Sequence, residues 1–252
     1  MSDVLLLARR AVREVWRLPD GTVPTLFLPL FFLAVNVGQI SRSFPSRTPF
    51  LHGQGYVGFQ LPVSIMLGVC TATTGFALVN DIERGYLDKL LLSPVRRSAI
   101  IYGRLAADLV RGVASSSVVL AFAVLVFGVR VRSGVGGAVV LVALAALWGM
   151  ASAGLAMIVA LRTRSVQATS ASFLLFFPLL FMAPTYVPFD RLTPLMEPIA
   201  RANPVSYVIE GLRSLVLEGW VPSKLAACAA VILATGLVLI ALSVRAIEAY
   251  DR

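Results

Sequence analysis

The chain has 252 residues, of which 58% are apolar and only 14% charged, and its mean hydropathy is +0.85. An average soluble domain carries about 25% charge, so this composition excludes intrinsic disorder and most soluble classes. The formal net charge of +9 does not by itself indicate a nucleic-acid reader. Nearly all of it is arginine, with Lys89 and Lys224 the two lysines, a skew that fits GC-rich coding in a bacterium.

The first twenty residues read as a cytoplasmic amphipathic helix lying in the membrane interface. At 100° per residue Leu5, Ala8, Val12, Val15 and Trp16 share one face, while Arg10, Arg13, Glu14 and Arg17 occupy the other. Pro19-Asp20-Gly21 breaks the pattern. This segment serves either as a lipid anchor or as a docking surface for a cytoplasmic partner. It is not a cleavable signal, because the apolar Leu5–Leu7 comes first and four arginines interrupt the residues after it.

A helix needs about 20 mostly apolar residues to cross a bilayer. Six charge-free runs meet or approach that length: Gly21–Ser41, Gly53–Asn80, Gly112–Val129, Ser133–Leu161, Ser165–Phe189 and Leu225–Val244. None alternates with period two, so a β-barrel is rejected. The expected fold is an all-α integral membrane protein: the N-terminal interfacial helix plus six transmembrane helices, forming one domain over 1–252. Its long polar segments are a cytoplasmic loop over 81–111 and an extracytoplasmic segment over 190–224.

With an even number of spans, both termini share one side. That side carries fourteen of the basic residues, including Arg9, Arg10, Arg13, Arg84, Lys89, Arg96, Arg97, Arg104, Arg162, Arg164 and Arg245, against eight on the other. The positive-inside rule then places both termini in the cytoplasm of a multi-pass bacterial inner (plasma) membrane protein.

Much chemistry is missing. Neither Lys89 nor Lys224 follows a phosphate-cradling glycine turn, so no P-loop is present. His52 is the sole histidine, which leaves no Ser–His–Asp constellation, and no cluster has metal-ligand spacing. His52 itself reads as interfacial. Cys70 and Cys228 sit in apolar runs as buried thiols. The acidic residues fall in loops or at span ends, which argues against a proton-coupled carrier. Energy for uphill transport would have to come from a partner chain.

The most informative segment runs from Asn80 to Arg97, NDIERGYLDKLLLSPVRR. Leu87, Leu90 and Leu91 share a helical face and Pro94 ends or kinks the helix. A second distinctive stretch leads from Tyr186-Val187-Pro188 to Asn203-Pro204-Val205-Ser206-Tyr207 and Glu210-Gly211-Leu212-Arg213. Pro178, Pro184, Pro188, Pro194, Pro198 and Pro204 crowd this region. Proline breaks helices in lipid, and the freed backbone groups need partners. Short re-entrant or interfacial helices between the fifth and sixth spans are therefore expected rather than a free aqueous loop.

In these two segments the chain resembles the ABC-2 family of ATP-driven export permeases, and the Asn-Pro and terminal Arg pattern is similar to the daunorubicin-resistance branch. Glu83, Arg84, Gly85, Leu87, Leu90, Leu91, Pro94 and Arg96 stand at the places of the family's loop pattern, and Gly103-Arg104 comes next as in the family. The resemblance implies a non-catalytic transport subunit that pairs with a second permease copy, identical or paralogous, and with two cytoplasmic ATPase subunits. This chain itself would need no cofactor, and ATP and Mg would bind to the ATPase. The resemblance also implies that the N-terminal helix, with Arg9 and Arg13, and the loop from Glu83 to Pro94 contact the ATPase. Asn203, Pro204, Glu210 and Arg213 form the extracytoplasmic motif.

Two further groups bear on a substrate path. Phe173, Phe177 and Phe181 recur every fourth residue in the fifth span and either face lipid or line an apolar route. Ser64, Cys70, Thr71 and Thr74 give the second span a small, weakly polar face for helix packing or for substrate. The expected function is export of a hydrophobic or amphipathic substrate (a drug, lipid or lipid-linked glycan). The alternatives are a passive channel or lipid scramblase with no ATPase, and a membrane-anchored enzyme or scaffold.

Overall fold

The computed structural model describes residues 19–45, 48–70, 73–92 and 95–250. Arg9, Arg13 and nearly all of the expected N-terminal amphipathic helix lie outside the described residues, as do Thr71 and Pro94, and the side chains of Thr74 and Phe173 are likewise outside the description. The described residues form α-helices and two short 3-10 turns, with no strand among them. In chain order the helices are α1 (Pro19–Ile40), α2 (Gly55–Val69), α3 (Thr73–Glu83), α4 (Tyr86–Leu91), α5 (Arg97–Phe127), α6 (Gly134–Thr163), α7 (Val166–Leu174), α8 (Phe176–Phe181), α9 (Met196–Ala202), α10 (Pro204–Leu217) and α11 (Pro222–Glu248).

Three of these, α5, α6 and α11, are long and apolar enough to cross a membrane. At 1.5 Å per residue, the 31 residues of α5 reach about 46 Å, beyond the roughly 30 Å hydrocarbon core. Its charge-free run begins only at Gly112, yet the helix starts four turns earlier. The added turns carry Arg104, Asp108 and Arg111, and these are neutralised: Arg104 pairs with Asp81 of α3, and Arg111 with Asp108 at 2.9 Å. Pairing lets a helix continue through charged sequence that an isolated span would exclude.

Two other runs depart from single helices. Gly53–Asn80 divides into α2 and α3, with its one proline, Pro62, inside α2 and not at the division. Ser165–Phe189 divides after Leu174, where Pro178 cannot donate to the Leu174 carbonyl, and its helical part stops at Phe181, ahead of Pro184 and Pro188. Pro19, expected to break the N-terminal pattern, lies in α1 as far as the described residues reach.

The core forms around α2, nearly all of whose side chains are enclosed by the chain itself. Helices α5 and α6 touch backbone to backbone. A Cβ on Gly112 would fall 2.9 Å from the Cα of Ala146, so only glycine permits this approach. By contrast α11 packs on α6 along one side and leaves Leu233, Leu237 and Val238 exposed on the other. One large apolar cluster joins α2 to α10 and the middle of α5 and α6. A smaller one, at the end of the bundle where α6 and α11 terminate, gathers Leu78, Leu87, Ile101, Leu105, Met157 and Ile247.

Candidate functional site: the paired ends of the bundle

At the end held by the smaller cluster, α3 turns into α4 through Arg84 and Gly85. Gly85 has φ +64°, the left-handed region that costs a side-chain-bearing residue about 1–2 kcal/mol. This turn lets α4 fold back so that Leu87 is completely enclosed (0% exposed) among Leu78, Ile101, Met157 and Ile247. The expectation that Leu87 offers its area to a partner therefore gives way: that area is already buried inside the chain. Leu90 and Leu91 are half-buried against the same cluster. What the elbow presents outward is Glu83, Arg84, Asp88 and Lys89, together with Leu92, which is 90% exposed.

The elbow is anchored electrostatically as well. Asp81, two residues before Glu83, is buried and accepts from Arg104 of α5. Arg97, the first residue of α5, donates to the carbonyls of Ile247 (3.4 Å) and Glu248 (3.3 Å) at the end of α11. Sequence reading took Arg104 as part of a motif but missed Asp81 and Asp108. The available signal was the spacing of Arg104, Asp108 and Arg111, four and three residues apart, which puts all three on one helical face.

At the opposite end, Asn203, Pro204, Glu210 and Arg213 meet on α10. Asn203 caps the helix by accepting from the Val205 amide at 3.0 Å, and Pro204 fills the first helical position. The Asn203 amide also donates to the Leu179 carbonyl in α8. Arg213 is only 3% exposed. It donates to the carbonyls of Phe59 (3.2 Å) and Pro184 (2.9 Å) and pairs with Glu210. Burial pulls the Arg213 guanidinium below the ordinary arginine pKa, while Glu210 acts in the opposite sense. Lys224 joins this network through Glu218 at 2.6 Å and Glu210 at 3.7 Å. The segment 190–224 is thus mostly helical, and its longest helix is buried.

Of the residues named for a substrate path, Ser64, Phe177 and Phe181 have described side chains. Ser64 is fully enclosed within the bundle, and its hydroxyl finds no hydrogen-bond partner. Phe177 and Phe181 stack with centroids 6.2 Å apart, and Phe181 continues the ladder to Tyr186 and Phe32. A separate apolar cavity of about 140 Å³ lies between Trp148, Ser152, Phe176, Leu179, Thr235 and Leu239, and Cys70 lines it. Cys70 and Cys228 are buried and unbridged. Among the described residues no group of His, Cys, Asp or Glu could hold a metal ion.

Long apolar helices, buried ion pairs at the ends of the bundle, and an outward-facing charged elbow define a polytopic helical membrane protein. Residues 2–217 match the family described as ABC-2 type transporter, and the chain belongs to that family. It is 28% identical over 224 residues to the daunorubicin resistance ABC transporter permease protein DrrB1 of Streptomyces coeruleorubidus, covering 86% of this chain and 75% of the relative. It is 26% identical to the inner membrane transport permease YadH of Escherichia coli K12, over 80% and 78% of the two chains. It is also 26% identical to the probable doxorubicin resistance ABC transporter permease protein DrrC of Mycobacterium tuberculosis H37Rv, over 89% and 80%.

Proposed function

We propose that this chain is the membrane-embedded, non-catalytic subunit of an ATP-driven exporter that moves a hydrophobic or amphipathic substrate out of the cytoplasm or inner leaflet. In this reading a second permease copy and two cytoplasmic ATPase subunits complete the complex, and ATP and Mg bind on the ATPase. Six spans leave both termini in the cytoplasm, with the chain in the cell membrane. The α7–α8 region and α9–α10 line the outer side, with α9 and α10 as the re-entrant pair. The names of two relatives, which specify daunorubicin and doxorubicin resistance, support a drug-like amphipathic substrate.

The observation that carries this reading is the α3–α4 elbow. Leu87 and the Asp81–Arg104 pair fix it rigidly to the bundle, while Glu83, Arg84 and Leu92 remain exposed beside it. A floppy loop would dissipate a push from a partner, whereas a short helix riveted to α3 and α5 transmits it. Glu83 would pair with a cationic or amide group of the ATPase. Arg9, Arg13 and Pro94 would border the same surface.

The test is Glu83→Lys, assayed by co-purification of the ATPase and by substrate-stimulated ATP turnover. Glu83 is exposed, so insertion and folding should stay normal while ATPase association or coupling falls, since reversing a charge in an interface typically costs several kcal/mol. Wild-type association, turnover and export in the variant would remove the elbow from the coupling path.

A further inference from the structure

Where α6 and α11 end beside the smaller apolar cluster, an open cleft of about 600 Å³ separates them. Leu161, Arg162 and Arg164 of the α6 terminus line one wall, and Leu242, Arg245 and Tyr250 the other. Three arginines thus line one space, and among the described residues no acidic side chain lines it. Arg162, Arg164 and Arg245 are exposed, unlike Arg104 and Arg213, which are buried and each hold a carboxylate. Here the side chains of Arg162 and Arg245 meet no hydrogen-bond or ion-pair partner among the described residues.

Arg164 is held by its backbone in an unusual way. It caps α6 with φ +51°, one of two non-glycine residues at positive φ among those described. Glycine is the ordinary occupant of such a cap. Arginine accepts the strain and lies over the Tyr250 ring, 4.4 Å from its centroid, with Nη2 donating to the Tyr250 carbonyl at 3.4 Å. The conformation aims a cation across the cleft toward the end of α11.

On the α11 side the cleft adjoins exposed apolar surface. Leu242 both lines it and is exposed, and Val238, one turn away, continues with Leu237 and Leu233 as an exposed apolar stripe along α11. An anion receptacle on top of an apolar track matches a molecule with a phosphate at one end and acyl chains at the other. We infer that this cleft binds an anionic phospholipid, its phosphodiester held by Arg162, Arg164 and Arg245 and its chains laid along α11. Guanidinium matches phosphate oxygens with paired, charge-assisted hydrogen bonds, and basic pockets between helices at the membrane surface suit such headgroups. A soluble acidic segment of a protein would satisfy the arginines but leave the apolar track unused. The lipid is a retained ligand, separate from any transported substrate, and its binding requires no ATPase.

The test uses the full chain in nanodiscs containing equal phosphatidylglycerol and phosphatidylcholine, with lipids retained after detergent extraction counted by native mass spectrometry. The wild-type protein should retain phosphatidylglycerol preferentially. The preference should fall about fivefold for each arginine removed and vanish in Arg162→Gln/Arg164→Gln/Arg245→Gln. Arg164→Gly separates binding from folding: glycine relieves the left-handed cap, so thermal stability should hold or rise while the preference drops. Equal retention of the two lipids by the wild type, or an unchanged preference in the triple variant, would overturn the inference. Displacement of phosphatidylglycerol by millimolar inorganic phosphate or glycerol phosphate would assign the cleft to a free anion and overturn the lipid. Arginine-dependent binding of a polyglutamate peptide with no lipid preference would make it a protein-docking surface instead.

Discussion

Arg213 lies flat over the ring of Phe59, its guanidinium carbon 3.6 Å from the ring centroid, and donates through Nε to the main-chain carbonyl of the same residue. One side chain thereby holds both the face and the backbone of α2 from α10. Its other arms reach Glu210 and the Pro184 carbonyl, so three separate stretches of chain converge on one cation. Removing it would leave Glu210 without its closest cation and the Phe59 and Pro184 carbonyls without this donor. Arg213→Ala should therefore cost about 3–5 kcal/mol, seen as a large fall in the thermal midpoint of the purified protein in detergent. Arg213→Lys keeps the charge but cannot reach three acceptors in one plane, and its midpoint should lie between those of the wild type and Arg213→Ala. A midpoint for Arg213→Ala equal to wild type would show that the clamp contributes nothing.

The Asp81–Arg104 pair makes a second prediction, at the other end. Asp81→Ala alone should destabilise strongly, because it leaves Arg104 buried without its carboxylate. The double variant Asp81→Ala/Arg104→Leu removes both charges and should recover most of the loss. A thermodynamic cycle over the four proteins should give a coupling of about 1–3 kcal/mol. Strict additivity would mean that the two residues do not act on each other.

Gly85 tests the geometry of the elbow rather than its charge. Any side chain at φ +64° carries a conformational cost of about 1–2 kcal/mol, and Gly85→Val should cost more because valine is β-branched. The expected result is faster amide exchange across Tyr86–Leu91 with little change in the long helices, since the strain is local and α4 is short. Unchanged protection of Leu87 in Gly85→Val would show that the turn does not set the position of α4.

Orientation can be read directly. A cysteine placed at Ser46, in a background lacking Cys70 and Cys228, should react with a membrane-impermeant thiol reagent added to intact cells. One at Ser98 should react only after lysis. The reverse pattern would invert the topology and move the elbow and the arginine cleft to the outer surface.

Composition and run length alone established a helical membrane protein, because burying backbone polar groups in lipid leaves few solutions and long charge-free stretches select the helical one. Local structure within the two motif segments came from the fold: Asn203-Pro204 starts α10, and Gly85 takes the left-handed turn between α3 and α4. The sequence could not show that α5 begins at Arg97 rather than near Gly112. That depends on Asp81, 23 residues before Arg104, arriving to neutralise it. Nor could it show which leucine of the Leu87, Leu90 and Leu91 face turns inward completely. Periodicity identifies a face but not what the face meets, and only the packing of α3, α5, α6 and α11 placed Leu87 inside the chain and left Leu92 out. The three-armed Arg213 clamp and the cleft of Arg162, Arg164 and Arg245 belong to the same class. Each joins stretches tens of residues apart, and convergence at that separation is decided by how helices cross, which no local pattern encodes.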